Sequence, residues 1–412
     1  MKKFYFLVLA FCFFNGVNGQ IINFPDVNFK KELLRANDIG YSIAEDEFGN
    51  YIKIDSNNDW EIDRNEASRV VKLHAGNASI TSLEGISYFL NLAYLYCSFS
   101  SISKLELSSL SKLEELYCND NQLTSLDVSA LKNLKTLYVS NNQIATLNLD
   151  GLINLEFLMF DGNKIKSLDI SSFPNLIGLA CGRNELTSIT VGSLKEMEFL
   201  YCSDNLLTKL DLSGLPKLNS FECSNNQLLT SLFIKNGMNE PYMTFENTPN
   251  LKYICVDDSQ FTEVQNLVNK YNNKNCQINS YCSFDPGGIN YTIQGNSRFD
   301  SNSNGCDASD FNYSNLNFKI SDGTHSGNFI SNTSGNYSMS VQEGIHTIIP
   351  ILENPTYYKV SPTSLTVNFP TKLSPFTQDF CITPNDIHND LEITILPISP
   401  ARPGFDVTYK II

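Results

Sequence analysis

A leucine-led segment recurs every 21 residues through the middle of the chain, and this recurrence limits the possible folds more than any other feature. The 21-residue segments begin at Leu92, Leu113, Leu134, Leu155, Leu176, Met197 and Leu218. One more segment fits upstream at Val70, with a spacing of 22 residues. Such a period is typical of solenoids, in which each repeat buries its apolar side only by stacking on its neighbours. We therefore predict a stacked core over residues 70–250.

Each segment follows the pattern L-x-x-L-x-C-x-x-N-x-L-x-x-L-x-L, with other apolar residues at some leucine and cysteine positions. This pattern resembles the leucine-rich repeat. The resemblance implies an α/β solenoid with parallel strands on its concave face and a mostly irregular convex side. The repeated asparagine is expected to bond turn backbone groups that water cannot reach. The predicted ladder consists of Asn121, Asn142, Asn163, Asn184, Asn205 and Asn226.

Cysteine recurs at the sixth position of the repeat. The column contains Cys97, Cys118, Cys181, Cys202 and Cys223. Adjacent strands lie about 4.8 Å apart, which a disulfide could span, but parallel Cβ vectors make poor bridge geometry. Val139 and Phe160 interrupt the column, which disfavours a metal site. The pattern favours buried free thiols, which behave as small hydrophobic side chains.

Aromatic residues recur at the third and fifth positions, which alternation places on the side of the strands opposite the core. The candidate ligand-binding residues are Tyr94, Tyr96, Tyr117, Tyr138, Phe157, Met159, Phe199 and Tyr201. Glutamates such as Glu114, Glu115, Glu156 and Glu198 lie alongside. Exposed aromatic rows are typical of recognition surfaces, although β-propensity alone also favours tyrosine on strands. Nine predicted strands would give a face roughly 38 Å long.

The N-terminus has the features of a secretory signal. Lys2 and Lys3 precede an apolar run over 4–14, and small residues follow up to Gly19. The run is shorter than the roughly 20 residues that span a bilayer. We predict a signal peptide over residues 1–19, no transmembrane segment, and a mature protein that is secreted or displayed at the cell surface.

Residues 20–69 are predicted to form an N-terminal helical cap. They contain a stretch that resembles an EF-hand calcium loop, with oxygen-bearing side chains at the expected spacing. The candidate ligands are Asp55, Asn57, Asp59, Glu61, Asp63 and Glu66. Trp60 stands where the family places a glycine. The resemblance implies a structural calcium ion that clamps the cap; the alternative is a plain acidic turn.

The 21-residue repeat pattern ends after Leu228, and residues 251–282 are predicted to form the C-terminal cap. The next strand is expected over 251–256 and a closing helix over 261–275. Cys255, Cys276 and Cys282 lie outside the cysteine column, and an exported chain can hold disulfides. Spacing alone cannot fix the pairing, and Cys255–Cys276 is the expected bridge.

The C-terminal third loses the leucine period and contains short alternating segments separated by turn residues. We predict an antiparallel β-sandwich over 283–372 and the start of a further, truncated β-domain over 373–412. The sandwich resembles the prealbumin-like B-type modules of bacterial surface proteins. That resemblance implies a second, weaker calcium loop at Asp300, Asn302, Asn304, Asp307 and Asp310, with a solvated turn as the alternative. Cys306 and Cys381 are expected to pair.

The charge balance restricts the possible partners. Lys and Arg number 29 against 44 Asp and Glu, for a net charge of −15, which disfavours nucleic acid. The four histidines lie in different segments, and no nucleophile–histidine arrangement indicates an enzyme.

The whole layout resembles leucine-rich-repeat surface proteins of type IX-secreting bacteria and, more distantly, the internalins. The resemblance implies a non-catalytic, monomeric adhesion protein that binds an extracellular protein ligand through the aromatic strand face. The alternative is a glycan-binding component of a surface polysaccharide-capture system.

Overall fold

The structure is a computed structural model that describes residues 19–40, 42–77, 79–273, 276–282 and 289–385, and the backbone of 395–397 and 409–411. The predicted signal peptide, apart from Gly19, lies outside the described residues. The chain divides into two compact units, residues 1–282 and 283–412.

Within its described residues, the first unit contains three α-helices, two 3₁₀ turns and many very short strands. The helices are α1 (Val27–Leu33), α2 (Arg64–Ala67) and α3 (Phe261–Lys270), and the 3₁₀ turns are Ile86–Tyr88 and Asp258–Gln260. The strands are β1 (Ala44–Glu45), β2 (Lys72–His74), β3 (Tyr94–Tyr96), β4 (Glu115–Tyr117), β5 (Leu126–Asp127), β6 (Thr136–Tyr138), β7 (Leu147–Asn148), β8 (Phe157–Met159), β9 (Ser167–Asp169), β10 (Gly178–Ala180), β11 (Ser188–Thr190), β12 (Phe199–Tyr201), β13 (Lys209–Asp211), β14 (Ser220–Glu222), β15 (Ser231–Phe233), β16 (Tyr242–Thr244), β17 (Tyr253–Cys255) and β18 (Gln277–Asn279).

Ten of these strands form one long sheet in the order β1-β2-β3-β4-β6-β8-β10-β12-β14-β16. The nine strands from β2 onward are parallel, and β1 closes one edge as an antiparallel strand. The 21-residue period gives this register directly: Leu95 pairs with Leu116, and Leu116 pairs with Leu137. The three leucines are fully buried, so each strand contributes its middle residue to the core. The predicted parallel-strand solenoid is confirmed.

The strands are short because every repeat turns at its eighth position. Asp120, Asn141, Asp204 and Asn225 have φ values of 54° to 59° there. Asn and Asp tolerate this left-handed conformation better than most residues, since their short polar side chains bond locally. The turn directs the next residue, the repeated asparagine, into the core.

The asparagine ladder is confirmed. Asn142 shows its geometry: Oδ1 accepts from the N–H of Leu123 in the preceding repeat at 2.9 Å. Its Nδ2 donates to the carbonyls of Cys118 and Val139 at 3.1 and 3.0 Å. Each such amide therefore joins two consecutive coils where water has no access.

The side of the coils opposite the long sheet contains more β-structure than the sequence predicts. Two-stranded pairs form between β5 and β7 and between β9 and β11, and β13, β15, β17 and β18 form a four-stranded parallel sheet. These strands hold only two or three residues each, with irregular chain between them.

The predicted position of the last strand of the long sheet is wrong. That strand is β16, in the segment that sequence reasoning treats as an irregular insertion, whereas β17 belongs to the four-stranded sheet. Met243 and Phe245 occupy the buried positions that leucine and cysteine hold in other repeats. The closing helix α3 is also shorter than predicted and ends at Lys270.

The second unit is built mainly from antiparallel strands. These are β19 (Tyr291–Phe299), β20 (Phe311–Asn312), β21 (Asn317–Ser321), β22 (Ser326–Ile330), β23 (Asn336–Val341), β24 (Gly344–Ile351), β25 (Tyr358–Ser361), β26 (Leu365–Phe369), β27 (Phe376–Thr377), β28 (Phe380–Pro384), β29 (Ile395–Pro397) and β30 (Tyr409–Ile411). One sheet has the order β20-β19-β28-β25, with β23 and β27 also paired to β19, and a second has the order β22-β21-β24-β26.

Aromatic side chains connect these two sheets. The ring centroid of Phe318 on β21 lies 5.2 Å from that of Phe380 on β28 and 4.9 Å from that of Tyr337 on β23. The antiparallel character of the region agrees with the sequence; the sandwich and its likeness to prealbumin-like modules stay predictions. Strands β27 and β28 extend the first sheet beyond residue 372. Strands β29 and β30 form a separate antiparallel pair, and the rest of 386–412 lies outside the described residues.

Candidate ligand-binding face

The eight predicted ligand-binding side chains lie on one surface of the long sheet. We call this surface the aromatic face; it comprises Tyr94, Tyr96, Tyr117, Tyr138, Phe157, Met159, Phe199 and Tyr201, all half-buried. In the fifth-position column, Tyr96 pairs with Tyr117, Tyr117 with Tyr138, and Tyr138 with Met159. Each strand alternates, so these residues point away from the buried middle leucine. The predicted arrangement is present, whereas its role in binding stays a prediction.

The first part of the aromatic face is a continuous cluster of rings. The ring centroids of Tyr94 and Tyr117 are 5.3 Å apart, and those of Tyr117 and Tyr138 are 4.9 Å apart. His74 extends the cluster by one strand, with its centroid 4.9 Å from that of Tyr94. Sequence reasoning missed His74, although the fifth position of the repeat that begins at Val70 would have identified it.

The second part of the aromatic face is organised around a glycine. The Phe199 ring lies where a Cβ atom of Gly178 on the neighbouring strand would be, so a larger residue at that position would have to displace the ring. Phe199 also stacks on Phe157 at 6.3 Å and on Tyr201 at 5.3 Å between centroids. The missing side chain of Gly178 therefore leaves the space that the Phe199 ring occupies, which the repeat pattern does not reveal.

The tyrosine and histidine rings of the face are themselves uncharged near neutral pH. Burial, a 2.8 Å hydrogen bond from the Tyr117 hydroxyl to Glu115 Oε2, and the charge of that carboxylate raise the pKa of Tyr117. Burial and the same carboxylate raise the pKa values of Tyr94 and Tyr138. Burial lowers the pKa of His74, which favours its neutral form. The rings therefore present neutral hydroxyl and imidazole groups near pH 7.

Carboxylates dominate the surroundings of the rings. Lys135 forms an ion pair with Glu114 at 2.7 Å, and Lys72 forms one with Glu45 at 3.1 Å. Within the described ranges, no ion pair involves the following residues: Glu115, Glu156, Glu198 and Glu222. The net charge around the rings is therefore negative.

The loop predicted to bind calcium in the N-terminal cap folds as a tightly bonded turn. Both carboxylate oxygens of Asp55 accept backbone N–H groups, from Asp59 at 3.2 Å and from Trp60 at 3.3 Å. Trp60 adopts φ +66°, the left-handed conformation expected of a glycine at that position, and its side chain is 73 % exposed. The tryptophan is thus compatible with the turn.

The other predicted ligands of this loop also have protein partners. Asp63 caps helix α2, and Glu66 accepts from the N–H of Asp63 at 3.1 Å and from the N–H of Ser56 at 2.8 Å. Asn57 Nδ2 donates to Asp59 Oδ2 at 2.9 Å, and Glu61 forms an ion pair with Lys30 at 2.7 Å.

The second predicted calcium loop repeats the same turn. Asp300 accepts from the N–H groups of Asn304 at 3.2 Å and Gly305 at 2.8 Å, and Asn302 Oδ1 accepts from Asn304 at 3.0 Å. Asp310 accepts from the N–H of Asp307 at 2.8 Å. In the part of the chain that the structure describes, no group of three or more His, Cys, Asp or Glu residues is arranged to hold a metal ion. Calcium at either loop stays a prediction.

Of the three expectations about the cysteines, the buried free thiols and the Cys306–Cys381 bridge are confirmed. Cys97, Cys118, Cys181, Cys202 and Cys223 are buried free thiols. Cys306 and Cys381 form a disulfide, with Cα atoms 5.5 Å apart.

The expected bridge between Cys255 and Cys276 is wrong, because Cys255 pairs with Cys282 instead. The register sets Gln277 beside Tyr253 and Asn279 beside Cys255. Cys276 therefore lies about three residues, roughly 10 Å, from Cys255 along the strands. That separation exceeds the Cα distance that a disulfide allows.

Comparisons with known proteins agree with the repeat assignment. Residues 111–152 match the family model described as leucine-rich repeats in two copies. None of the curated proteins matches the chain. Across the described residues, no helix has the length and apolar character needed to cross a membrane.

Several solved structures are similar to the chain. The functional domain of InlJ from Listeria monocytogenes, described as including a cysteine ladder, is 18% identical; the match covers 89% of this chain and 99% of that one, with a TM-score of 0.38. Internalin C2 from Listeria monocytogenes is 25% identical over 57% of this chain and 94% of that one, with a TM-score of 0.41. The Leptospira interrogans protein LIC12759 is 24% identical over 53% and 51%, with a TM-score of 0.35. The family match identifies residues 111–152 as leucine-rich repeats, and the parallel solenoid coils continue on both sides of them.

Proposed function

We propose that this chain is a non-catalytic, secreted or surface-displayed binding protein that recognises an extracellular protein ligand through the aromatic face. The observation that carries the proposal is the in-register row of half-buried aromatic side chains on consecutive strands. Tyrosine, phenylalanine and methionine are enriched at the buried centres of protein interfaces, where their large rigid surfaces displace water. A face held by fixed strands loses little conformational entropy on binding.

A purely structural role for the rings is the main alternative explanation. Cross-strand aromatic pairs stabilise a sheet, which explains why Tyr117 contacts both Tyr94 and Tyr138. Stabilisation alone does not require all eight side chains to remain partly exposed on the same surface. A contiguous exposed apolar surface is instead typical of an interaction site.

A glycan is the second candidate ligand. Phe157, Phe199 and Tyr201 stack at 26° and 29°, which supports a flat platform of the kind that packs on sugar rings. The first cluster is less suitable, because its tyrosine rings are tilted by 37° to 69° relative to each other. An uneven aromatic surface fits protein side chains better than a planar sugar chain.

Pairs of carboxylates can carry out glycosidase chemistry, but the acidic residues Asp63, Glu66 and Asp257 have structural roles. Asp63 and Glu66 form the capping box of helix α2. Asp257 accepts from the backbone N–H groups of Asn236 and Gly237 at 3.0 and 2.8 Å and so stabilises the C-terminal cap. These contacts support a function without catalysis.

Export of the chain belongs to the same proposal. The predicted signal peptide, two disulfides and the acidic composition suit an oxidising extracellular compartment. We propose that the mature chain is monomeric and that calcium, if bound at Asp55–Glu66 or Asp300–Asp310, has a structural role. Type IX secretion remains a proposal that rests on the sequence layout alone.

The test is a pull-down of extracellular proteins, run in parallel with a glycan array, using the full mature chain. The double variant Tyr117→Ala with Tyr201→Ala should lose the captured protein, while its melting temperature changes by no more than about 3 °C. The matched control, Phe48→Ala with Phe311→Ala, removes two exposed rings outside the aromatic face and should retain capture. Equal capture by both variants would refute the proposal; glycan binding without protein capture would favour the second candidate.

A further inference from the structure

One carboxylate lies within the first ring cluster of the aromatic face rather than beside it. Glu115 is the third residue of its repeat and the first residue of β4, and the register places it between Tyr94 on β3 and Thr136 on β6. Its Oε2 accepts the Tyr117 hydroxyl hydrogen at 2.8 Å, which fixes the carboxylate against that ring. The side chain is half-buried, so it remains accessible from the ligand side.

Three tyrosines lie close to this carboxylate. Tyr117 shares its strand, Tyr94 is its register partner, and Tyr138 is in ring contact with Tyr117 at 4.9 Å. The charge of Glu115 contributes to the raised pKa values of all three tyrosines, so the carboxylate is close enough to interact electrostatically with each of them. Aromatic rings around a carboxylate combine two attractions for a cation, the ring quadrupole and the opposite charge.

The charge distribution favours a cationic ligand over other ligands. The lysines nearest the first cluster, Lys72 and Lys135, are already paired with glutamates. Glu115 forms no ion pair within the described residues, and Glu156, Glu198 and Glu222 extend the negative charge along the face. An acidic ligand would be repelled, whereas a cationic ligand would be attracted by these charges.

We infer that the aromatic face binds an arginine-bearing segment of its protein partner, an inference that rests on the proposed function. One guanidinium of that segment packs on Tyr94, Tyr117 and Tyr138 and pairs with Glu115. Arginine fits better than lysine because its planar guanidinium stacks on aromatic rings and bonds a carboxylate through two N–H groups. Oε2 can accept from the ligand and still accept from Tyr117, since a carboxylate oxygen has two lone pairs.

The test measures binding of a synthetic peptide to the full mature chain by fluorescence anisotropy. The probe alternates arginine and serine over about twelve residues, because an extended chain of that length spans roughly 40 Å, similar to the face. The matched probe replaces every arginine with citrulline, which keeps the shape and removes the charge. We expect the arginine peptide to bind at least about tenfold more tightly than the citrulline peptide, and the difference to shrink as salt rises from about 50 to 500 mM.

Two charge-matched variants locate the site. Glu115→Gln keeps an acceptor for the Tyr117 hydroxyl and should weaken binding of the arginine peptide by roughly tenfold. Glu263→Gln makes the same charge change on helix α3, away from the long sheet, and should leave the affinity within about twofold.

Equal binding of the two peptides, no binding of either, or equal effects of the two variants would overturn the inference. The pull-down separates this failure from failure of the proposed function. If the aromatic face still captures a protein while arginine gives no advantage, the proposed function stands and the arginine site is wrong. If capture is also independent of Tyr117 and Tyr201, both are wrong.

Discussion

Replacing one ladder asparagine by alanine should destabilise the solenoid strongly, although the side chain is small and polar. Asn142 is 8 % exposed and takes part in four hydrogen bonds. Its Oδ1 accepts from Leu123, and its Nδ2 donates to the carbonyls of Cys118, Val139 and Ser140. Asn142→Ala removes all four bonds at once.

The size of the effect depends on which hydrogen bonds the partners of Asn142 retain in the variant. The carbonyls of Cys118, Val139 and Ser140 each keep another donor: Asn121, Asn163 and the N–H of Asp120, respectively. The N–H of Leu123 loses the Asn142 acceptor and lies in a buried turn. A buried unpaired N–H costs about 2 kcal/mol, and three weakened carbonyls add roughly 1 kcal/mol together. We therefore expect the free energy of unfolding of the solenoid to fall by about 3 kcal/mol.

The control is Asn133→Ala, at the end of the preceding repeat. Asn133 is exposed and donates one hydrogen bond, to the carbonyl of Ser111 at 2.9 Å, so its loss should cost less than about 1 kcal/mol. Hydrogen exchange with mass spectrometry along a urea series measures both effects, because it separates solenoid peptides from those of the second unit. Equal destabilisation by the two variants would show that the ladder bonds contribute no more than exposed ones.

Two further predictions concern the thiols and the calcium loops. Burial raises the pKa values of Cys97 and Cys223 to about 12, so iodoacetamide at about pH 8.5 should leave the native cysteine column unmodified and label it fully in urea; labelling of the native column would contradict its burial. Because an unfolded thiol ionises near pH 9.0, these groups should not affect stability below that pH and should reduce it as pH rises towards 12. Calcium at about 1 mM should raise the melting temperature relative to EDTA, and Asp59→Asn should reduce that rise. An identical melting temperature with calcium, magnesium and EDTA would refute the structural-ion prediction.

Much of the candidate face could be predicted from the sequence because every position in it repeats. Tyr96, Tyr117 and Tyr138 share one position in a 21-residue period, and parallel in-register stacking brings equal positions side by side. The hydrogen bond between Tyr117 and Glu115 was not predictable, since it depends on the rotamers of two side chains on one strand. The Gly178 site under Phe199 depends likewise on how one ring tilts across to its neighbour.

The sequence by itself determined the solenoid, its register, the asparagine ladder and the buried thiols. A strict period imposes the same local environment on every repeat, so a single spacing specifies all of these contacts. Only the tertiary structure decided where the period ends. It placed β16 in a segment without the leucine pattern and joined Cys255 to Cys282 rather than to Cys276. These contacts occur once and depend on the path of the chain through the cap, which no repeated spacing encodes.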